Sequence, residues 1–217
     1  MLAIEKKIAL ISRLKSVSFS KQITYCEKLL ENPDGSYRGW LLPSFATTSE
    51  EINIFNLVKN NKTPIDSLLH VGIGNGELPN FIKVINHLHG ITLSSEEMQN
   101  SKDTYQVFLI NKYNFLEMSQ VFRQYQYDVI IDDCIFSYAC CWVHAVQYFS
   151  FLATHLRSGG VIITGKMGMS YSPTKFLLSD DLLIKLSKSV NLTIFRHNNG
   201  VVELRRVEPS LSLTQKT

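Results

Sequence analysis

Three glycines spaced two apart, Gly72, Gly74 and Gly76, end a short apolar run in LLHVGIGNGE, residues 68–77. A helix-compatible stretch, ELPNFIKVI, follows at once. A buried strand, a tight turn and a helix start are the reading that fits this order. Glycine suits the turn because it adopts left-handed backbone angles and leaves no Cβ between the chain and a ligand. The amides at the helix start then offer hydrogen-bond donors. A strand that runs into such a loop restricts the chain to an α/β fold with a ligand at the strand end.

The spacing narrows the ligand. A dinucleotide fingerprint, G-x-G-x-x-G, sets its third glycine on the helix so that the helix packs on the strand. Here the third glycine comes one residue early, and Glu77 stands beside the place of a pyrophosphate, which disfavours NAD. The loop resembles motif I of class I S-adenosylmethionine (SAM)-dependent methyltransferases, a strand running into G-x-G-x-G. That family usually carries an acidic residue two before the first glycine, where this chain has His70.

Composition bounds the rest. With 217 residues, 45% of them hydrophobic, the chain can bury a large core. No apolar run approaches the roughly 20 residues of a membrane span, so a cytoplasmic protein is expected. A net charge of +3 without a Lys/Arg block neither requires nor excludes an anionic partner and leaves the oligomeric state open. A small molecule rather than nucleic acid is the expected partner, because the aromatic N-terminal segment could roof an apolar pocket. Cys134, Cys140, Cys141 and His144 lie close together, yet no C-x-x-C or second ligand pair completes a zinc site, so no metal is expected.

Further segments support repeated βα units. Thr48 or Ser49 followed by Glu50 and Glu51 reads as a capped helix reaching residue 59. Strands are expected at 67–71, 89–93, 106–110 and 129–131, with helices at 78–86 and after Ser94. LRSGGVIIT, residues 156–164, reads as a helix end with a glycine stop and then a buried strand. A helix at 174–189 and a hairpin of 192–196 with 201–205 around HNNG close the pattern. The expected fold is a doubly wound α/β domain: a mainly parallel seven-stranded sheet, a C-terminal antiparallel β-hairpin and an N-terminal helical extension. Residues 1–62 form the extension, a possible lid carrying Tyr37, Trp40 and Phe45; residues 63–208 form the domain; 209–217 form a disordered tail.

The resemblance covers residues 65 to 206 and implies SAM as cofactor, held by His70, Gly72, Gly74, Gly76, Thr92, Asn111 and Asp132. The segment GITLSSEEM is similar to cyclopropane fatty acid synthases, with Thr92 where most relatives place the acid that meets the ribose. Asp133, His144 and Lys166 are the candidates for catalysis. Asp133 could orient or deprotonate a nucleophile or simply cap a helix, and His144 could be a pocket base or a structural group. The implied activity is O- or N-methylation of a small-molecule or natural-product acceptor. Two alternatives stay open: a ribose 2′-O-methyltransferase using Asp132 or Asp133, Lys166 and Glu203, and a non-catalytic methyltransferase-like binding protein.

Overall fold

The fold is described from a computed structural model, which covers residues 47–60, 63–133, 135, 142–165 and 179–206. Seven strands form one sheet in the order β3-β2-β1-β4-β5-β7-β6. They are β1 (Ile65–Val71), β2 (Val84–Thr92), β3 (Gln106–Leu109), β4 (Tyr127–Asp132), β5 (Leu156–Thr164), β6 (Leu192–Arg196) and β7 (Val202–Arg206). The first five run parallel, and β7 pairs antiparallel with both β5 and β6. The chain reverses direction across the sheet between β1 and β4, the kind of switch point where open α/β sheets bind ligands.

Alternation along the strands builds two apolar layers. Leu69, Ile130 and Ile162 face one side, under α4 (Phe115–Phe122), α5 (Trp142–Thr154) and α6 (Asp180–Ser189). Leu68, Val129, Ile131 and Ile163 face the other, under α1 (Ser49–Lys59) and α2 (Leu78–Phe81). The remaining described helix, α3 (Ser95–Ser101), follows β2. Within the expected extension, α1 is a core helix: Ile54, Phe55 and Val58 are buried against the sheet.

Helix α1 starts where the sequence places it. Thr48 Oγ1 accepts the Glu51 amide, and the Glu51 carboxylate accepts the Thr48 amide, a reciprocal capping box. Two other expectations are corrected. The helix expected at 78–86 stops at Phe81, because Ile82 turns extended and β2 begins at Val84, five residues before the expected strand. LRSGG is not a helix end; it belongs to β5. Gly159 there has φ +73°, and β5 places Leu156 opposite Tyr127 but Val161 opposite Val129, so extra residues bulge out of the ladder. The expected helix at 174–189 is described only as α6, capped by the Ser179 hydroxyl on the Leu182 amide. The hairpin forms as expected, with a loop in which His197 N–H donates to Val201 O and Gly200 takes φ +89°.

The opposite end of the sheet is closed by charge. Asp128 Oδ2 accepts the amides of Asp66 and Ser67 at 2.8 and 3.0 Å, and Arg157 bridges Asp66 and Asp128 at 2.9 and 3.1 Å. Residues from β1, β4 and β5 thus share one clamp.

Candidate functional site

The loop after β1 has the conformation its glycines permit. Gly72, Gly74 and Gly76 sit at φ +75°, +55° and +73°, angles that side chains with a Cβ rarely adopt. Ile91 O accepts the Gly72 amide at 2.7 Å, and Gly76 N–H donates back to Ile73 O at 3.0 Å. A Cβ on Gly76 would overlap Ser101, whereas one on Gly72 would project into open space above the loop. Asn75 joins the loop to the start of α1 through a 3.1 Å bond from Nδ2 to Thr47 Oγ1.

His70 lies beneath this loop. It is 1% exposed, its Nδ1 is 2.9 Å from Tyr105 Oη, and Phe55 meets its ring edge-on. Burial pushes its pKa down to about 3, so it is neutral. Thr92 ends β2 with its hydroxyl donating to Glu97 Oε2 at 2.5 Å while accepting the Ser94 amide at 3.0 Å. Glu97 caps nothing with its carboxylate. Its backbone amide goes to Ser94 Oγ, and its buried side chain, with a pKa raised by desolvation, stands at the end of β2. Sequence reasoning treats Glu97 as a helix-start glutamate; the missed signal is its position five residues past a strand end.

Asn111 follows β3, 1% exposed, with Oδ1 accepting the Tyr113 amide at 3.0 Å. The next residue, Lys112, is also missed by sequence reasoning. Its ammonium is buried and pairs with Asp132 at 2.9 Å, and Tyr148 Oη donates to the same carboxylate at 2.5 Å. Burial beside Asp132 pushes the Tyr148 pKa well up. Nothing in the local sequence marks this lysine, because its partner lies on another strand.

The two adjacent aspartates therefore play separate parts. Alternation sends Asp132 to the face of α5 and Asp133 to the face of α1. Burial first, then the charges of Glu51, Asp132 and Glu50, push the Asp133 pKa up to about 7. Its Oδ1 is buried and makes no hydrogen bond among the described residues. The start of α1 forms the facing wall: a Cβ on Gly165 would overlap the Glu50 side chain. His144 is fully buried, its ring stacked on Phe115 at 5.9 Å, on the side of Asp132 and away from Asp133. Glu203 is engaged by Arg205 at 2.5 Å and lies 3.2 Å from His197. Lys166, Cys134, Cys140, Cys141 and the aromatic residues Tyr37, Trp40 and Phe45 fall outside the described residues. Among the described residues no group of His, Cys, Asp and Glu is arranged to hold a metal ion, and no helix is long and apolar enough to cross a membrane.

The glycine loop, Thr92, Asn111, Asp132 and Asp133 thus meet at the C-terminal edge of the parallel strands. Solved structures share this frame. The sugar N-methyltransferase KedS8 from Streptoalloteichus superposes with a TM-score of 0.56 at 14% identity, over 74% of this chain and 88% of that one. The N-methyltransferase NodS from Bradyrhizobium japonicum, in complex with S-adenosylhomocysteine, gives 0.54 at 14% identity over 86% and 98%. The magnesium protoporphyrin IX methyltransferase from Synechocystis, with bound SAM, gives 0.53 at 12% identity over 72% and 77%. The chain has the class I SAM-dependent methyltransferase fold. No protein-family model and no curated protein matches the sequence.

Within this methyltransferase fold, the residues present fit the cofactor. A Cβ on Gly72 would enter open space that the glycine leaves free for a ligand, and the Thr92–Glu97 pair stands at the end of β2, the strand next to β1.

Proposed function

We propose that the protein is a SAM-dependent methyltransferase acting on a small-molecule acceptor by O- or N-methylation. The observation that carries this reading is the loop of three positive-φ glycines at the ligand-binding edge of a sheet ordered as in the methyltransferase fold. Its structural neighbours support it: NodS is named as an N-methyltransferase and KedS8 as a sugar N-methyltransferase.

In this reading Gly72, Gly74 and Gly76 let the backbone approach the cofactor's amino-acid end, with His70 fixing the loop from below through Tyr105. Thr92 and Glu97 receive the ribose, and Asn111 lies beside the adenine. Bound SAM supplies an activated methyl group on a sulfonium. The chain's own work is then to hold the acceptor in line and take its proton. Asp133 is suited to the proton: a carboxyl with a pKa of about 7 and an Oδ1 with no hydrogen bond among the described residues can accept it near neutrality. Asp132 is placed to anchor rather than to react, since Lys112 and Tyr148 hold it. His144 and Lys166 complete the set of proposed catalytic residues, His144 from the side of Asp132.

Titration calorimetry with S-adenosylhomocysteine tests the cofactor, with saturable binding expected. Radiolabelled methyl transfer from SAM to a panel of small amines and alcohols tests turnover. Binding without any transfer would point to the non-catalytic form of the fold, and no heat at millimolar ligand would overturn the reading.

A further inference from the structure

Glu51 is a second unexpected carboxylate at the strand edge, and capping does not use it up. It is 8% exposed, and the Thr48 amide on Oε2 is its one hydrogen-bond donor among the described residues. Phe55, four residues on, packs against His70 near the end of β1, and Asn75 of the glycine loop bonds Thr47 just before the helix, so the first turn of α1, with Glu51 buried, lies beside the loop. Its charge acts on groups from three other elements: Asp133 after β4, Glu97 on α3 and Tyr105 before β3. Glu50 adds a further carboxylate against Gly165. Lys112 is paired with Asp132, and its charge only partly offsets the rise in the Asp133 pKa.

Like charges brought together away from water raise the free energy of the empty fold, and a cation placed among them recovers it. SAM and S-adenosylhomocysteine both carry an α-ammonium at the end that approaches a glycine loop. We infer that Glu51 is the counter-ion for the cofactor's α-ammonium, so that one side chain both closes the start of α1 and recognises the amino-acid end of the ligand. This assignment rests on the cofactor reading above. It gives the acidic wall a ligand of defined charge and explains why a capping glutamate is buried at a strand edge.

The test separates the ammonium from the rest of the ligand. Glu51→Gln removes the charge and keeps the capping box, since glutamine serves at that position. Calorimetry compares S-adenosylhomocysteine with 5′-methylthioadenosine, which shares the adenine, ribose and thioether and lacks the amino acid. The variant should bind S-adenosylhomocysteine about tenfold or more weakly, as expected for a lost charge-assisted bond, and bind methylthioadenosine as wild type does. Unchanged affinity for both ligands, or an equal loss for both, overturns the role of Glu51 while leaving the cofactor site in place. Wild-type protein that binds neither ligand removes the cofactor site and this assignment together.

Discussion

The two ends of the parallel sheet handle charge in opposite ways. At the N-terminal ends of the strands, Asp66 and Asp128 share Arg157, and Asp128 also takes two backbone amides. At the C-terminal ends, Asp133, Glu50, Glu51 and Glu97 crowd together, and the carboxyls of Asp133 and Glu97 hold their protons more tightly than usual. One end is complete as it stands. The other gathers carboxyls with raised pKa values at the ligand-binding edge, and perturbed carboxyls of this kind concentrate at functional sites.

The largest test of that contrast concerns the buried Lys112–Asp132 pair. Lys112→Met leaves Asp132 buried beside Tyr148 without its cation, and loss of a buried partner costs about 3–5 kcal/mol. Denaturant unfolding should show it; a change under about 1 kcal/mol would mean that water reaches the pair. Next comes Gly74→Val. A branched side chain at φ +55° and in the path of the ligand should cut S-adenosylhomocysteine affinity by more than about 100-fold in calorimetry. Retained affinity would move the ligand away from the loop.

Asp133→Asn has two expected effects, one on each side of the contrast. Turnover of the wild type should rise with pH through about 7, as the base loses its proton, and the variant should lose that limb together with most of its rate. Cofactor affinity should change less than turnover, and equal losses would place Asp133 on the cofactor. For stability, the folded pKa lies above the ordinary value of 3.8, so the folded chain holds a proton that the unfolded chain releases. That contribution is present below the unfolded value and is lost as pH rises through about 7. The asparagine variant should therefore unfold at a higher temperature than wild type above neutrality, with the gap closing in acid. The smallest effect belongs to the other end: Arg157→Gln should cost about 1 kcal/mol or less, because the guanidinium is 38% exposed and solvent screens it. A larger cost would show that the clamp carries the sheet.

Much of this frame is legible in the sequence. The glycine loop, the buried run ending in two aspartates and the terminal hairpin each follow from local backbone chemistry, and each is found in place. The errors fall where local chemistry is ambiguous. Residues 82–88 carry apolar side chains at spacings that suit a helix, and the first part of β2 extends past β3, so it lacks a neighbour on one side to impose strict alternation; Ile85 is 60% exposed there. LRSGG has the residues of a helix stop, and only pairing with β4 turns them into a bulge. The candidate site is less legible because its charges come from far apart in the chain. Asp132 and Lys112 are 20 residues apart, and Glu51 and Glu97 answer first to their own helix starts. A sequence shows His70 and Thr92 where acids are expected; folding brings acids to the same edge from α1 and α3.

The Asp128 clamp also acts on how the sheet is assembled. Its hydrogen bonds join residues 62 and 91 positions apart, so it cannot form until β1, β4 and β5 lie side by side. Parallel strands of this separation pair late and slowly, which gives wrong alignments time to arise. A slip of one residue between β1 and β4 would exchange the two faces of the strand and carry the Asp128 carboxylate away from the amides it accepts. The clamp thus serves as a proofreading device at one end of the sheet, and by fixing the alignment there it sets which residues emerge beside the glycine loop at the other.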